Sequence, residues 1–214
     1  MERTGRRTGR PPLTERRKAA TRVDIARAAV RLFTTRGVAA TSADEIAAAA
    51  GISVRTLWRY FPTKESCVRP LLTAGIDLTA LALRNWPPGT ALATVLDDLA
   101  AAAGDIVAEV PTLLALVRLT RTEPGLRAVW LRAHDDAEPV FATALAERAG
   151  HGDANDLHIR LHAAMINAAL RVAVEHHANE PDPAGKGTAG KGTAGKDIVA
   201  TVRTALLTAA VGLN

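Results

Sequence analysis

The residues best suited to chemistry lie in the stretch TSADEIAAAAGISVRTLWRYFPTK, residues 41–64. Within it, Arg55, Thr56, Arg59 and Tyr60 supply two guanidinium groups, a hydroxyl and a phenol. On a helix over residues 54–60, steps of about 100° place these side chains on one face and Leu57 on the opposite face. Arginine can read guanine in a major groove, while threonine and tyrosine can bind phosphates. The spacing therefore predicts contact with double-stranded DNA.

Two short helices joined by a glycine turn are predicted to position this face. Ser42 and Glu45 have the spacing of a capping box, which starts a helix near residue 43. Gly51 supplies the left-handed residue that ends this helix. Ser53 can cap a second helix over residues 54–60, and Pro62 stops it. A short connection that contains glycine is typical of a helix-turn-helix.

Residues 15–69 resemble the DNA-binding domain of the TetR family of one-component transcriptional repressors. The resemblance is carried by the segments AVRLFTTRGVAATSADEIA, IAAAAGIS and TLWRYFPTKES. It implies that Ser42, Thr56, Tyr60 and Lys64 hold phosphates and that Val54, Arg55 and Trp58 reach base edges. Trp58 stands where the family usually has Tyr or Phe. Ser53 and Arg59, on the same helix, complete the predicted DNA-binding set.

The charge distribution supports a nucleic-acid partner for the N-terminal part alone. Residues 1–69 hold 15 Lys and Arg against 6 Asp and Glu, a net charge of +9, whereas residues 70–214 have a net charge of −4. Basic charge concentrated at one end is the electrostatic footprint of nucleic-acid binding. The acidic remainder is expected to stay away from the phosphate backbone.

Residues 1–13 contain four arginines and no apolar period, which predicts a disordered basic arm. The tripeptide around Arg10, Gly-Arg-Pro, resembles minor-groove peptides in which an extended arginine lies in a narrow groove. The alternative is a solubilising tail that only touches phosphates. Arg10 is therefore a candidate for DNA contact.

Lys64 and Pro70 lie in a helix predicted over residues 64–84. A cation in the first turn of a helix opposes its dipole, so Lys64 calls for an anionic partner such as a DNA phosphate. Pro70 removes one amide hydrogen bond and is expected to kink this helix near Ser66. The bend has two open interpretations, a hinge that transmits ligand binding and a local irregularity without a role.

The rest of the chain predicts an all-α, nine-helix protein of two domains, which is also the helix count that the TetR resemblance implies. A helix-turn-helix domain is expected over residues 14–63 and a regulatory, ligand-binding and dimerisation domain over residues 64–214. Helices are predicted near residues 15–36, 90–109, 111–121, 125–149, 155–177 and 196–211, with breaks at proline and glycine. Residues 179–196, which contain GKGTAGKGTAGK, are expected to form a flexible loop. This repeat is not a phosphate-binding loop, because Gly192 stands where that motif needs Ser or Thr.

Two helices near the C-terminus are apolar on nearly all sides, over residues 157–174 and 198–211. Each must be buried on more than one side. The resemblance implies that they are the dimerisation pair of a four-helix bundle. A twofold homodimer would match a pseudopalindromic operator.

A small-molecule effector is expected to bind between the helices of the C-terminal domain, in a mostly apolar cavity with a few polar groups. The candidate lining residues are Arg118, Trp130, His134, Phe141, His162, Met165 and Asn167. His158 and His162 are one helical turn apart, as metal ligands can be, but no third ligand supports them. Neither a metal site nor a cofactor is predicted.

Together these features predict a homodimeric DNA-binding repressor that a small molecule releases from its operator. The alternatives are an activator, a regulator that answers to a protein partner and, from another class, a helical enzyme that uses His158 and His162. A single cysteine, Cys67, excludes a disulfide within one chain. No signal peptide or membrane span is apparent, which predicts a cytoplasmic protein without a membrane partner.

Overall fold

The computed structural model describes residues 13–102, 104–150, 153–180 and 193–210. Within these ranges it contains nine α-helices and no β-strand, so the predicted all-α fold is confirmed. The helices are α1 (Leu13–Arg36), α2 (Ala43–Ala49), α3 (Val54–Tyr60), α4 (Arg69–Arg84), α5 (Leu92–Ala102), α6 (Gly104–Leu119), α7 (Pro124–Ala149), α8 (Leu157–Asn179) and α9 (Thr193–Ala209). A short 3-10 helix, Glu65–Val68, connects α3 to α4. Arg10 and residues 181–192 of the predicted flexible loop lie outside the described residues.

Helices α1, α2 and α3 form the N-terminal module and have the local structure that the sequence predicts. The Ser42 hydroxyl accepts from the Glu45 amide at 3.2 Å, and a Glu45 carboxylate oxygen accepts from the Ser42 amide at 2.8 Å. Gly51, with a φ of 68°, turns the chain between α2 and α3. The Ser53 hydroxyl accepts from the Thr56 amide at 3.2 Å and starts α3. Leu57 of α3 is fully buried against the module's core.

The C-terminal domain is a helical bundle built on the contacts of α4 with α7, α7 with α8, and α8 with α9. Helix α5 packs against α4 and α9, and α6 packs against α8, α9 and α1. The bundle core contains the buried side chains of Leu116, Trp130, Phe141 and Ile166. Since α4 contacts both α1 and the bundle, it connects the module to the C-terminal helices.

Pro111 does not end a helix, so the predicted separate helices over residues 90–109 and 111–121 are wrong. Helix α5 ends at Ala102, and α6 runs from Gly104 to Leu119 with Pro111 inside it. A proline in a helix loses one amide hydrogen bond and clashes with the preceding turn. Val110 and Leu114, on either side of Pro111, are buried, and packing of that face offsets the loss.

Pro70 starts α4 and does not bend a longer helix, which corrects the predicted kink near Ser66. The Thr63 hydroxyl accepts from the Ser66 amide and the Ser66 hydroxyl accepts from the Thr63 amide, both at 3.1 Å, so a 3-10 helix forms first. Helix α4 then begins at Arg69, with Pro70 in its first turn. An amide at this position has no partner within the helix, so proline is tolerated there.

The predicted flexible segment over residues 179–196 is also too long. Asn179 is the last residue of α8, and α9 begins at Thr193, so both ends of that segment are helical. Thr193 and Gly195 are weak helix formers. Their composition therefore predicts a loop at this point of the chain. Packing of α9 against α8 overrides that preference.

Two ion pairs connect the N-terminal module and α4 to the regulatory helices. Arg27 of α1 contacts Glu109 of α6 at 2.7 Å, and Arg69 at the start of α4 contacts Asp136 of α7 at 2.8 Å. All four side chains are at least 30% exposed. Solvent-exposed pairs of this kind contribute about 0–1 kcal/mol each and weaken as salt is added.

A close steric contact lies near these ion pairs. Gly125, in the first turn of α7, approaches Glu65 of the 3-10 helix, and a Cβ atom at residue 125 would lie 2.9 Å from the Glu65 Cγ. A side chain at position 125 would therefore push the two elements apart. Glycine allows the 3-10 helix to pack directly against the start of α7.

Residues Glu65–Arg84 are long and apolar enough, by length and composition alone, to span a membrane. They do not form one continuous α-helix, because the 3-10 helix precedes α4. The 16 residues of α4 rise about 24 Å, less than the ~30 Å of a bilayer core. Its side chains Leu72, Ile76 and Leu83 are buried in the protein core, as expected for a packed core helix.

Candidate DNA interface and effector cavity

The outer face of α3 presents the side chains that the sequence predicts for DNA. Arg55 and Arg59 are exposed, Trp58 is 46% exposed, and Thr56 and Tyr60 are half-buried. Within the described part of the chain, Arg55 forms no ion pair. A two-turn helix with free guanidinium groups, capped by Ser53 at its exposed start, has the size and chemistry for a major groove.

Tyr60 links this face to α1. The guanidinium carbons of Arg22 on α1 and Arg59 on α3 lie 5.3 Å and 5.4 Å from the centroid of the Tyr60 ring. Each cation is attracted by the negative face of the ring. Tyr60 therefore holds one arginine from each helix beside its ring, which brings a basic side chain of α1 close to one of α3.

Ser42 and Val54 have internal contacts as well as predicted DNA contacts. The Ser42 hydroxyl donates to a Glu45 carboxylate oxygen at 3.0 Å, and Arg36 pairs with the other Glu45 oxygen at 2.7 Å. Bonds from the Ser42 amide and hydroxyl, with the Arg36 charge, lower the pKa of Glu45 and keep it ionised. Val54 packs partly on the module core. A phosphate contact by Ser42 therefore has to replace its bond to Glu45.

Lys64 has hydrogen-bond acceptors within the protein. Its ammonium group donates to the carbonyl oxygens of Val38 at 2.7 Å and Thr41 at 2.9 Å, both in the connection between α1 and α2. The partial negative charge of these neutral carbonyl oxygens stabilises the ammonium group without a DNA phosphate. One of the three ammonium N–H groups is left for a phosphate. The structure thus gives Lys64 a second role, which is to tie this connection to the start of the 3-10 helix.

Four of the predicted effector residues fill the bundle core instead of lining a cavity. Trp130, His134, Phe141 and Asn167 are all buried. Asn167 Nδ2 donates to the His134 carbonyl at 2.8 Å, so its Oδ1 accepts from His134 Nδ1 at 2.7 Å. Burial lowers the pKa of His134, and its Nε2 is buried without a hydrogen-bond partner among the described residues. The imidazole is therefore held neutral.

A carboxylate completes this polar cluster. Glu175 of α8 accepts from Trp130 Nε1 at 2.7 Å and pairs with Arg127 of α7 at 2.5 Å. Burial alone would raise the pKa of Glu175, but the hydrogen bonds from Trp130 and Arg127 lower it. Arg127, Trp130 and Glu175 thus satisfy one another across α7 and α8, as is typical of a structural core, whereas His134 Nε2 has no partner among the described residues.

The other three predicted effector residues lie nearer the surface. Arg118 is exposed, and its Nε donates to the Ala178 carbonyl at 2.5 Å, where a cation is favourable at the C-terminal end of α8. His162 is half-buried, and Met165 is 43% exposed. The sequence pattern shows that these polar or large side chains lie within apolar helices. It does not show which face of a helix borders a cavity.

The cavity of the regulatory domain has a volume of about 110 Å³ and an almost wholly apolar lining from α4, α5, α6, α8 and α9. Helix α7, which carries three of the predicted effector residues, does not contribute to it. The lining residues are Gly75, Leu78, Thr79, Leu96, Leu99, Ala100, Val110, Leu113, Leu170, Val174, Ile198, Val199, Val202, Arg203 and Leu206.

Arg203 is the charged residue of this lining, and it is not among the effector residues predicted from the sequence. Its Nε donates to Asp97 Oδ1 at 2.7 Å and its Nη2 to Asp97 Oδ2 at 3.3 Å, which joins α9 to α5. The signal that could have found it is a single arginine in the otherwise apolar run IVATVRTALLTAAV, residues 198–211. An isolated charge on such a helix must reach a partner or solvent.

Neither a metal centre nor a reactive thiol is present in the described part of the chain. No group of three His, Cys, Asp or Glu side chains lies close enough there to hold an ion. His158 is exposed and His162 half-buried, without a third ligand. Burial raises the pKa of Cys67 to about 12, so its thiol stays protonated and unreactive.

One face of the α8–α9 pair is apolar and exposed. Leu157, Leu161, Met165 and Val172 of α8 are between 43% and 67% exposed. The neighbouring exposed positions of α9 are small, among them Ala200, Thr204 and Thr208. Large apolar side chains beside small ones form a surface on which another pair of helices can pack closely.

Comparisons with known families identify both parts of the chain. The profile described as "Bacterial regulatory proteins, tetR family" matches residues 25–71. The profile described as "MftR C-terminal domain" matches residues 89–186. The HTH-type transcriptional regulator TcmR of Streptomyces glaucescens is 28% identical over 175 residues, which cover 76% of this chain and 75% of that protein.

Two solved structures share the fold over about nine tenths of the chain. GusR of Salmonella enterica superposes with a TM-score of 0.52 at 18% identity and covers 89% of this chain and 95% of its own. The fatty acid degradation regulator FadR from Bacillus halodurans superposes with a TM-score of 0.52 at 20% identity. This match covers 91% of this chain and 96% of the FadR chain. At these identities the likeness concerns the fold.

Proposed function

Because the chain belongs to the TetR family of helix-turn-helix transcriptional regulators, we propose that it is a repressor released from its operator by a small molecule. In this proposal residues 14–63 bind DNA, residues 64–214 bind the effector and dimerise, and residues 1–13 form a basic arm. The protein acts in the cytoplasm, where its DNA is located.

The proposed DNA site is the exposed face of α3 with its flanks. Arg55 reads bases, with Val54 and Trp58 beside it, while Thr56, Arg59 and Tyr60 contact the backbone. Arg55 is the best candidate for base choice, because it is exposed and forms no ion pair with another described residue. A guanidinium group without an internal partner can approach guanine without first breaking a bond in the protein.

The proposed homodimer forms through α8 and α9. The exposed apolar stripe of α8 and the small residues of α9 fit a four-helix bundle with the same surface of a second chain. Such a dimer has twofold symmetry, so its two α3 helices meet half-sites of opposite orientation. The operator is therefore pseudopalindromic, with half-sites about one helical turn of DNA or a multiple of it apart.

The observation that supports release by an effector is the position of α4. Gly75, Leu78 and Thr79 of α4 line the apolar cavity, and the N-terminal end of α4 follows the helix-turn-helix module after the 3-10 helix. A molecule in the cavity contacts the helix that carries the module. If the ligand prefers another position of α4, DNA and ligand oppose each other through one coupling free energy.

No contact of the described residues favours an activator or a regulator controlled by a protein partner. Both alternatives are outcomes of the experiment described below. An enzyme is excluded by a different argument, because the family and the structural neighbours are transcriptional regulators. The His158 and His162 pair therefore has no catalytic role in this proposal.

The proposal is tested by selecting binding sites from random-sequence duplexes with the purified protein. An enriched palindrome-like sequence is expected, and Arg55→Ala should reduce the preference for it over random DNA about fivefold or more, since a bidentate base contact contributes about 1–3 kcal/mol. Arg132→Ala is the matched control, because Arg132 is an exposed arginine of α7, far from α3 in sequence, whose ion pairs with other described residues are to carboxylates of its own helix.

Repression and release are measured with the selected site placed over a reporter promoter. Repression that small apolar molecules relieve supports the proposal, whereas activation of the reporter would replace it by the activator alternative. Failure to enrich any palindrome-like sequence, with Arg55→Ala indistinguishable from the parent protein, would refute sequence-specific repression.

A further inference from the structure

The effector cavity is apolar throughout except at one edge, where it carries a positive charge. Arg203 lines the cavity, yet its side chain is 37% exposed. A residue that borders both the cavity and solvent lies at the rim. The other lining residues are aliphatic, apart from glycine and Thr79, whose hydroxyl already donates to the Gly75 carbonyl at 2.9 Å. Arg203 is therefore the group available to orient a polar end of a ligand.

The guanidinium group of Arg203 already binds a carboxylate at this rim. Asp97 approaches it side-on, with both carboxylate oxygens facing N–H groups at 2.7 Å and 3.3 Å. Asp97 is 60% exposed, so water can solvate it when the pair opens. Exposed pairs of this kind contribute little to stability, which makes exchange of one carboxylate for another inexpensive.

We propose that the effector is an amphiphilic monocarboxylate, whose apolar body fills the cavity and whose carboxylate replaces Asp97 on Arg203. The inference rests on the proposed function, because it names the chemical class of the molecule that releases the DNA. Arginine recognises carboxylates with two parallel hydrogen bonds, so the site selects this head group over an alcohol and rejects an amine.

The cavity volume limits the apolar body. A cavity of about 150 Å³ lined by aliphatic and aromatic side chains holds benzene. This cavity, at about 110 Å³, is smaller and suits an aliphatic body of about four or five carbons. A longer chain has to displace side chains of α8 or α9 or extend out of the rim.

Exchange at Arg203 also changes the contacts between helices. The Arg203–Asp97 pair joins α9, a member of the proposed dimer pair, to α5, which packs on α4. When a ligand carboxylate takes the place of Asp97, α5 loses this bond to α9 while the ligand body presses on α4. The head group therefore contributes to release as well as to affinity.

The experiment compares sodium hexanoate, hexan-1-ol and hexylamine, three six-carbon probes that differ in head group. Binding to the full-length protein is followed by saturation-transfer NMR, and release of a selected operator duplex by fluorescence anisotropy. Hexanoate is expected to bind about tenfold more tightly than hexan-1-ol, and hexylamine more weakly than either.

Three variants identify the head-group site. Arg203→Gln should abolish the preference for hexanoate over hexan-1-ol, while binding of hexan-1-ol itself persists. Asp97→Asn removes the competing carboxylate and should strengthen hexanoate binding several-fold while leaving hexan-1-ol unchanged. Asp98→Asn is the matched control, because Asp98 is an exposed neighbour of Asp97 outside the cavity lining, and it should behave like the parent protein.

The outcomes separate this inference from the function on which it rests. If hexanoate and hexan-1-ol bind and release DNA equally well, and Arg203→Gln changes nothing, the carboxylate inference is wrong while an effector cavity remains. If none of the probes binds, and bulky substitutions in the cavity such as Val202→Trp leave DNA release by active extracts unchanged, both the inference and the effector role of this cavity are wrong.

Discussion

The two roles of Lys64 can be separated by replacing it with methionine. Lys64→Met keeps the length and most of the apolar stem but removes the ammonium group that donates to the Val38 and Thr41 carbonyls at 2.7 Å and 2.9 Å. Hydrogen bonds from charged donors contribute about 1.5–3 kcal/mol each. Because Lys64 is half-buried, we take the lower end, which gives about 3 kcal/mol for both bonds.

This loss should lower the melting temperature by about 6–12 °C, since 1 kcal/mol corresponds to about 2–4 °C for a chain of this size. Calorimetry and the protection of α2 amides against hydrogen exchange measure it. Lys18→Met is the control, because Lys18 forms an exposed pair with Glu15 within α1, which contributes at most about 1 kcal/mol. Its melting temperature should change little.

The salt dependence of operator binding then tests the phosphate role. Each lost phosphate contact reduces the slope of log affinity against log salt by ~0.9. If Lys64 serves mainly as an internal tie, the slope of Lys64→Met stays within about 0.3 of the parent value when both proteins are folded. For the proposed dimer, a slope reduced by about 2 with an unchanged melting temperature would refute the internal role. That result would show that Lys64 contacts a DNA phosphate.

Two further predictions concern the dimer and the buried imidazole. Leu161→Arg, in the exposed stripe of α8, should convert the proposed dimer to a monomer in sedimentation velocity. Leu81→Arg, at a similarly exposed position on α4, should leave the proposed dimer intact, and a dimeric Leu161→Arg would place the interface elsewhere. Burial lowers the pKa of His134, so the unfolded chain binds its proton first as the pH falls below about 6.5, and stability should decline there. Urea unfolding at pH 7.5 and 5.5 measures this decline, and an equal decline in His134→Gln would assign it to other groups.

The features that could be predicted from sequence are those whose partners are local. Ser42, Gly51 and Ser53 act on residues within four positions, so the bounds of α3 and both caps follow from spacing. Pro111 shows where local rules stop. Whether a proline ends a helix depends on the side chains packed around it, and here Val110 and Leu114 are buried by contacts distant in sequence.

The apolar cavity between α4, α5, α6, α8 and α9 could not be predicted for a related reason. Trp130, His134 and Asn167 stand out in the sequence because they are polar or large, and such residues usually satisfy one another in a core, as they do here. A cavity arises where five packed helices leave space unfilled, and its lining is mostly unremarkable aliphatic side chains. Lys64 is a similar case, since its partners lie 23 and 26 residues earlier in the chain.

The contact of Gly125 with Glu65 has a consequence for how the protein responds to ionic strength. The ion pairs of Arg27 with Glu109 and of Arg69 with Asp136 weaken as salt rises, because their charges are partly exposed. The approach of Glu65 to the bare backbone of Gly125 is a matter of shape, and dissolved ions do not screen it. The two domains are thus joined by ion pairs that weaken as salt rises and by a packing contact that salt does not weaken. At high ionic strength the two ion pairs therefore weaken, while the packing of the 3-10 helix on α7 is expected to stay in place.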